Sequence, residues 1–242
     1  MGMINELVRA IVPASTRVRY KLLRGRIIYG RSGTTPLSRE ILDLESHKTM
    51  APLEKLESFF ELKSSAWQGL QTLAYQIVLR YRPKVIVELG THMGLSALAM
   101  GLALKELGEG GRLFAIDSWK GDPQASHYGD EVYQQFLERR KHLGLEETIV
   151  PLKMYFDEAK DLVDRPIDLL HIDGLHTWDA VNHDWETYGP LVKPGGLVLF
   201  HDVNTRYPGV TKFWRQMKKS KDCHTVLYSH GLGILRTPGK ND

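Results

Sequence analysis

Ionisable side chains and glycines stand where four short apolar runs of this 242-residue chain end. The stretch Glu88–Gly94 closes the first run, and Asp117 closes the second. Asp173 and the pair His201–Asp202 close two later runs. If these runs are parallel strands of one sheet, their carboxyl ends share the edge at which open α/β sheets bind ligands. The sequence therefore predicts a single cleft lined by these residues.

The glycine turn of the first run predicts a ligand site. Gly90 and Gly94 allow a tight turn and a close approach, and the following helix offers free N–H groups to an anion. The spacing is not the Gly-x-Gly-x-x-Gly of NAD enzymes, and Gly94 has the alternative role of packing helix on strand. Glu88 suits a ligand with a free ammonium group, which NAD lacks, and Asp117 suits the two hydroxyls of a ribose.

An alternation of β-branched runs and helical stretches begins at residue 84 and positions these side chains. Strands are predicted over Lys84–Leu89, Arg112–Asp117, Thr148–Lys153, Ile167–Ile172 and Leu197–His201. Helices are predicted between them over Leu95–Leu107, Asp130–His142, Asp157–Val163 and Thr177–Tyr188, and a last helix over Val210–Lys219. Such alternation favours parallel strands joined by right-handed crossovers.

The last two apolar runs, His224–Tyr228 and Gly233–Arg236, are too close together for a crossover and are expected to pair as a hairpin. We therefore expect a Rossmann-like α/β fold. Its open sheet would be mostly parallel, with one antiparallel strand near the C-terminal end and helices on both faces.

The start of the chain differs from the rest in charge. Residues 1–31 hold seven basic side chains and one acid, which gives +6, whereas the whole chain carries +3. The remainder therefore sums to −3, which argues against a nucleic-acid partner. We predict a basic, partly helical extension over residues 1–52 and a domain over residues 53–242. The extension is either a solvated helix packed on the domain or a contact with a membrane surface or a partner.

The compartment is expected to be the cytoplasm. The single Cys223 excludes an internal disulfide. The longest nearly apolar run, Leu95–Leu104, is too short for a bilayer, which takes about 20 residues. No signal peptide is expected from the first ten residues. The sequence leaves open a membrane association through the extension, and a homo-oligomer.

Residues 85–238 resemble the class I S-adenosylmethionine-dependent methyltransferases. They are most similar to the bacterial methyltransferase family 24 type, which is related to macrolide-sugar and catechol O-methyltransferases. The matching stretches are Val85–Ser96, Ile116–Asp122, Ile167–Val181, Pro194–Asp202 and Ser229–Leu235. The resemblance implies transfer of a methyl group from S-adenosylmethionine to a hydroxyl of a sugar, glycan or natural product. Two alternatives are a hydroxylase-like relative of the same fold and a non-catalytic S-adenosylmethionine-binding module.

The resemblance also implies roles for individual residues. The cofactor's methionine part would lie at the glycine turn, its ribose at Asp117 and its adenine near the residues that follow the second and third strands. Trp67 would close the pocket from the N-terminal side. The expected cofactor contacts are Glu88, Gly90, Thr91, Gly94, Ser96, Asp117, Ser118, Trp119, Phe156, Asp173 and Trp67. The loop Trp119–Tyr128 is a candidate lid or acceptor wall.

Asp173 and Asp202 match positions that hold magnesium in the related O-methyltransferases. Here His201 precedes Asp202, and histidine suits manganese, iron or zinc better than magnesium. We expect a divalent metal, magnesium or manganese, on Asp173, His201 and Asp202. The alternative is that Asp202 caps a turn and His201 packs beneath it. The catalytic residues would be Asp173 and the general base His176, whereas His171, between leucine and isoleucine, is expected to be structural.

Overall fold

The computed structural model describes residues 35–45, 51–58, 65–122, 124, 126–205, 207–220 and 222–239. The predicted basic helix within residues 1–31 lies outside these residues. The division of the chain at residue 52, a membrane or partner contact of the extension, and a homo-oligomer stay predictions.

A seven-stranded sheet lies at the centre of the described residues. Its strands are β1 (Val85–Leu89), β2 (Arg112–Asp117), β5 (Ile149–Lys153), β6 (Ile167–Ile172), β7 (Val192–His201), β8 (Cys223–Val226) and β9 (Leu232–Arg236), in the order β5-β2-β1-β6-β7-β9-β8. The pairs among β5, β2, β1, β6 and β7 are parallel, and β9 is antiparallel to both of its neighbours. The expected Rossmann-like fold, with one antiparallel strand near the C-terminal end, is confirmed.

Helices cover both faces of this sheet. They are α1 (Pro36–Leu44), α2 (Ala51–Glu57), α3 (Gln71–Tyr81), α4 (Leu95–Leu107), α5 (Asp130–His142), α6 (Phe156–Ala159), α7 (Trp178–Tyr188) and α8 (Pro208–Met217). A short hairpin of β3 (Gly121–Asp122) and β4 (Ser126–His127) interrupts the loop after β2. The helix predicted over Asp157–Val163 is a single turn, since the chain turns where the Leu162 N–H bonds to the Ala159 carbonyl.

Two apolar cores fill the spaces between sheet and helices. Alternate strand residues point to opposite faces, so Ile86 and Leu169 join the core beneath α3 and α4, whereas Val87 and Leu170 join the core beneath α7 and α8. Glu88 and His171 are register partners two residues further on. Their side chains therefore lie on the α3–α4 face, at the carboxyl end of the sheet.

The edge strand β8 is covered by the N-terminal end of α1. The Thr35 hydroxyl donates to the Cys223 carbonyl at 3.2 Å, and the Leu37 N–H donates to Asp222 Oδ1 at 3.0 Å. Covering an edge strand in this way protects it from pairing with other chains. Among the described helices, none has the length and apolar character that a membrane span requires.

Candidate active site

Two acids and two histidines meet where the parallel neighbours β6 and β7 end. Asp173 Oδ1 lies 3.1 Å from His201 Nδ1, and Asp202 Oδ2 lies 3.3 Å from the same nitrogen. Asp202 Oδ2 also lies 2.7 Å from His176 Nε2, which is 4.0 Å from Asp173 Oδ1. These four side chains are called here the acid–histidine cluster. They are the residues that the sequence predicted as catalytic or metal-binding, and the structure places them together.

His201 is oriented by a backbone carbonyl. Its Nε2 lies 3.1 Å from the backbone carbonyl oxygen of Ser229. Because a carbonyl oxygen can only accept, Nε2 carries a hydrogen and Nδ1 faces the carboxylates. Burial alone would lower the pKa of His201, but the charge of Asp173 and the hydrogen bonds to both carboxylates raise it to about 10.

The pKa values of the two carboxyls, Asp173 and Asp202, are lowered where that of His201 is raised. Burial alone would raise the pKa of Asp173, but the charge of His201 and its hydrogen bond hold it below the usual range. Burial acts likewise on Asp202, and the hydrogen bonds from His176 and His201 lower its pKa. One ligand atom each of Asp173, His201 and Asp202 lies within 4.8 Å of the others, so this trio could hold a metal ion.

His176 is held by a residue that the sequence did not single out. Gln124 Oε1 accepts the His176 backbone N–H at 2.9 Å and faces Nδ1 at 3.0 Å. The backbone contact fixes this atom as an acceptor, so Nδ1 carries a hydrogen and Nε2 is the nitrogen that can exchange a proton. The ring stacks on Tyr207 with centroids 4.2 Å apart. Burial alone would lower the pKa of His176, but the Asp202 hydrogen bond and the Asp173 charge raise it.

Glu88 lies fully buried beside the glycine turn. Its Oε1 accepts the Ser96 hydroxyl at 2.5 Å and lies 2.9 Å from His171 Nδ1. Within the described residues, Glu88 Oε2 and the buried Thr91 hydroxyl have no hydrogen-bond partner. Gly90 adopts a φ of +92°, and a Cβ there would collide with the Asp173 carbonyl. The turn thus sits directly against the cluster.

Asp117 is fixed by backbone groups. Its two oxygens accept the N–H groups of His92 at 2.8 Å and Trp119 at 2.7 Å. Ser118 is half-buried beside it. Trp119 is only 2% exposed and packs on Tyr133 and Phe136 in the core beneath the turn, and its predicted contact with the cofactor stays a prediction.

Trp67 contacts the cluster from the N-terminal side, and its predicted closing of the cofactor pocket stays a prediction. Its Nε1 donates to Asp173 Oδ2 at 2.8 Å, and its ring lies 4.8 Å from that of His171 and 5.2 Å from that of His201. Gly94, with a φ of +84°, begins α4 and leaves no room for a Cβ beside Phe136. Phe156, at the start of α6, packs against Gly174, next to Asp173.

Sequence reasoning missed two residues of the site. Gln124 lies in the loop Trp119–Tyr128, the candidate lid or acceptor wall, but a glutamine there gives no signal of a role in the site. His230 lies 3.0 Å from Asp202 Oδ1 through its Nδ1. It belongs to Ser229–Leu235, one of the stretches that match the family, but a predicted hairpin does not by itself show that its turn lies at the end of β7.

Residues 87–203 match a family model described as a methyltransferase domain, the family 24 type that the resemblance indicated. Among curated proteins, "Uncharacterized protein y4gI" of Sinorhizobium fredii is 34% identical over 194 residues, which cover 79% of this chain and 21% of that protein. The chain thus spans about a fifth of the length of this relative.

Solved structures share the fold. A Staphylococcus aureus protein, provisionally assigned as a caffeoyl-CoA O-methyltransferase, matches with a TM-score of 0.61 and 18% identity, over 82% of this chain and 98% of that one. The O-methyltransferase TomG of Streptomyces achromogenes, solved with S-adenosylmethionine, matches with a TM-score of 0.57 and 17% identity, over 79% of this chain and 92% of its own.

Proposed function

We propose that this chain, which matches a methyltransferase-domain family model over residues 87–203, transfers a methyl group from S-adenosylmethionine to a hydroxyl oxygen with the help of a divalent metal. The acceptor would be a small molecule or glycan, with a sugar or natural-product hydroxyl as the first choice. The observation that carries the proposal is the acid–histidine cluster, which faces the glycine turn across Gly90.

The cofactor fits polar atoms that the described residues leave unpaired. A buried carboxylate oxygen without a partner is costly. The ammonium group of S-adenosylmethionine would supply a donor to Glu88 Oε2, which has none among the described residues. Asp117 already accepts two backbone N–H groups, and each of its oxygens keeps a lone pair for a ribose hydroxyl. Glu88 would thus bind one end of the cofactor and Asp117 its middle.

The metal fits the donor atoms of the cluster. Metal-binding histidines usually donate their second N–H to a carbonyl or carboxylate. His201 has this arrangement, since Nε2 faces the Ser229 carbonyl and Nδ1 faces Asp173. One nitrogen beside carboxylate oxygens favours manganese over magnesium. When bound, the cation would stabilise the negative charge that develops on the acceptor oxygen.

His176 is the group that would take the proton. Gln124 holds Nδ1–H, and Nε2 lies 2.7 Å from Asp202 Oδ2. With Asp202 Oδ2 on the metal, Nε2 would be free to accept the hydroxyl proton while the acceptor oxygen forms a bond to the methyl carbon. The carbon–sulfur bond breaks, and its electron pair stays on the sulfur. A positioned base contributes about 10²–10⁴-fold. Alignment of the two reactants contributes about 7–11 kcal/mol in well-oriented systems.

Calorimetry with S-adenosylhomocysteine tests the cofactor, and product mass tests the reaction. We expect saturable binding, and a gain of one CH₂ in an acceptor from a panel of hydroxyl compounds supplied with S-adenosylmethionine and Mn²⁺. Absence of both heat and a thermal shift at millimolar ligand would contradict the proposal. A gain of one oxygen atom would favour the hydroxylase alternative, and binding without turnover across the panel would favour the binding module.

A further inference from the structure

The turn that links β8 and β9 contacts two members of the acid–histidine cluster. The Ser229 carbonyl accepts His201 Nε2–H at 3.1 Å, and His230 Nδ1 lies 3.0 Å from Asp202 Oδ1. The Asn204 N–H donates to the His230 carbonyl at 2.8 Å, which fastens the turn to the chain just after Asp202. One turn thus contacts two of the proposed metal ligands, His201 and Asp202.

The backbone of this contact is unusual. Ser229, His230 and Asp202 have φ values of 49°, 65° and 59°, in the left-handed region that non-glycine residues rarely adopt. Gly231 leaves no room for a Cβ against Asn204. Residues held in such conformations cost free energy and tend to occur at functional sites. The conformation brings the His230 ring to the carboxylate of Asp202.

The two oxygens of Asp202 have different partners. Oδ2 faces His176 and His201 inside the cluster, whereas Oδ1 faces His230. Because a carboxylate oxygen accepts, Nδ1 of His230 carries the hydrogen. The Asp202 side chain is 4% exposed, whereas that of His230 is 52% exposed. His230 therefore reaches a buried carboxylate from the protein surface.

We propose that His230 is a positioning residue, which holds Asp202 Oδ1 so that Oδ2 is presented to the metal ion. This inference rests on the metal site of the proposed function. His230 itself would touch neither the metal nor the methyl group, since its Nδ1 is bonded to Oδ1. Loss of such an outer partner typically weakens metal binding about 10–100-fold.

Two substitutions of His230 separate the effect of losing its hydrogen bond from the effect of straining the backbone. Glycine and asparagine both tolerate left-handed φ. Asparagine also keeps an N–H donor close to the position of Nδ1, whereas glycine has none. The Mn²⁺ dissociation constant, measured from the electron paramagnetic resonance signal of free Mn²⁺, should rise about 10–100-fold in His230→Gly. It should stay near the wild-type value in His230→Asn.

Further variants control the comparison. His183→Asn removes an exposed histidine that pairs with Asp157 at 2.8 Å outside the cluster, and should leave Mn²⁺ binding unchanged. His230→Asp also tolerates the backbone but places an acceptor against Asp202. It should bind Mn²⁺ at least as weakly as His230→Gly, and it replaces that variant if thermal unfolding shows that His230→Gly is not folded.

Several outcomes would overturn the inference. If His230→Gly and His230→Asp bind Mn²⁺ as tightly as the wild type, His230 does not position Asp202. If His230→Asn is as weak as His230→Gly, the donor is not the cause. If the wild type binds no Mn²⁺ but binds S-adenosylhomocysteine and forms a methylated product, the metal site and this role fall together, and methyl transfer stands.

Discussion

The acids at the ends of β1 and β2 are held differently from those at the ends of β6 and β7. Asp117 accepts two backbone N–H groups, and Glu88 accepts a serine hydroxyl beside the buried His171. Asp173 and Asp202 instead face the histidines of the cluster. The backbone donors of Asp117 do not exchange protons at neutral pH, whereas imidazoles do. Glu88, which has both a serine hydroxyl and the His171 imidazole as partners, lies between the two cases.

The pKa shifts follow the same division. Burial raises the pKa of Asp117, and its hydrogen bonds from His92 and Trp119 offset this effect only in part. Charged histidines outweigh burial at Asp173 and Asp202 and lower the pKa of both. The comparison separates a carboxylate fixed by backbone donors from carboxylates compensated by histidines, and the proposed function assigns cofactor binding to the first side of the cleft and the reaction to the second. Three predictions test it, from the largest expected effect to the smallest.

Removing the base should act on the reacting side alone. His176→Ala should lower kcat about 10²–10⁴-fold, because no other group in the proposal takes the hydroxyl proton. The affinity for S-adenosylhomocysteine should stay near the wild-type value in calorimetry. A parallel loss of affinity and turnover would remove the division between the two sides, together with the assigned role of His176.

Neutralising Glu88 should act on the binding side alone. In Glu88→Gln, the cofactor's ammonium loses a charged partner, which is worth about 1.5–3 kcal/mol, or roughly 10–150-fold in the dissociation constant of S-adenosylhomocysteine. The kcat at saturating cofactor should change little. Glu54→Gln, at an exposed position of α2, is the matched control and should change neither quantity. A fall in kcat without a change in affinity would reverse the assignment.

Asp184 on α7 is a buried acid outside the cluster. It tests whether an acid that does not face the histidines of the cluster keeps the raised pKa that burial causes. Burial raises the pKa of Asp184 to about 7, and the charge of His183 offsets this effect only in part. In the unfolded chain, an aspartate ionises near pH 4. The folded state therefore binds more protons between these values, so stability falls as pH rises from about 4 to about 7 and then levels off.

Asp184→Asn should remove this loss. At pH 8, the full linkage of about 4 kcal/mol, less about 1–3 kcal/mol for burying an amide with incomplete hydrogen bonding, leaves a net stabilisation of about 1–3 kcal/mol. The gain should shrink as pH falls and become a loss of about 1–3 kcal/mol near pH 4, where only the cost of the buried amide remains. Urea unfolding at several pH values would measure this change. An equal gain at pH 4 and pH 8 would mean that Asp184 does not titrate as burial predicts.

Much of the scaffold could be predicted without the structure, because periodicity and composition act locally. The bounds predicted for Arg112–Asp117, Ile167–Ile172, Leu95–Leu107 and Asp130–His142 coincide with β2, β6, α4 and α5. The last helix begins at Pro208 rather than Val210, since proline is favoured in a first turn, where its missing N–H costs nothing. Errors of this kind lie at the ends of elements.

The sequence by itself determined that acids stand at or just after the ends of four strands, and the alternation of strands and helices required those strand ends to share an edge. Only the tertiary structure decided which atoms meet there. Gln124 on His176, His230 on Asp202 and Trp67 on Asp173 each join segments far apart in the chain. Strand order and loop packing fix such contacts, and no local pattern encodes them, because each depends on where a distant loop comes to rest.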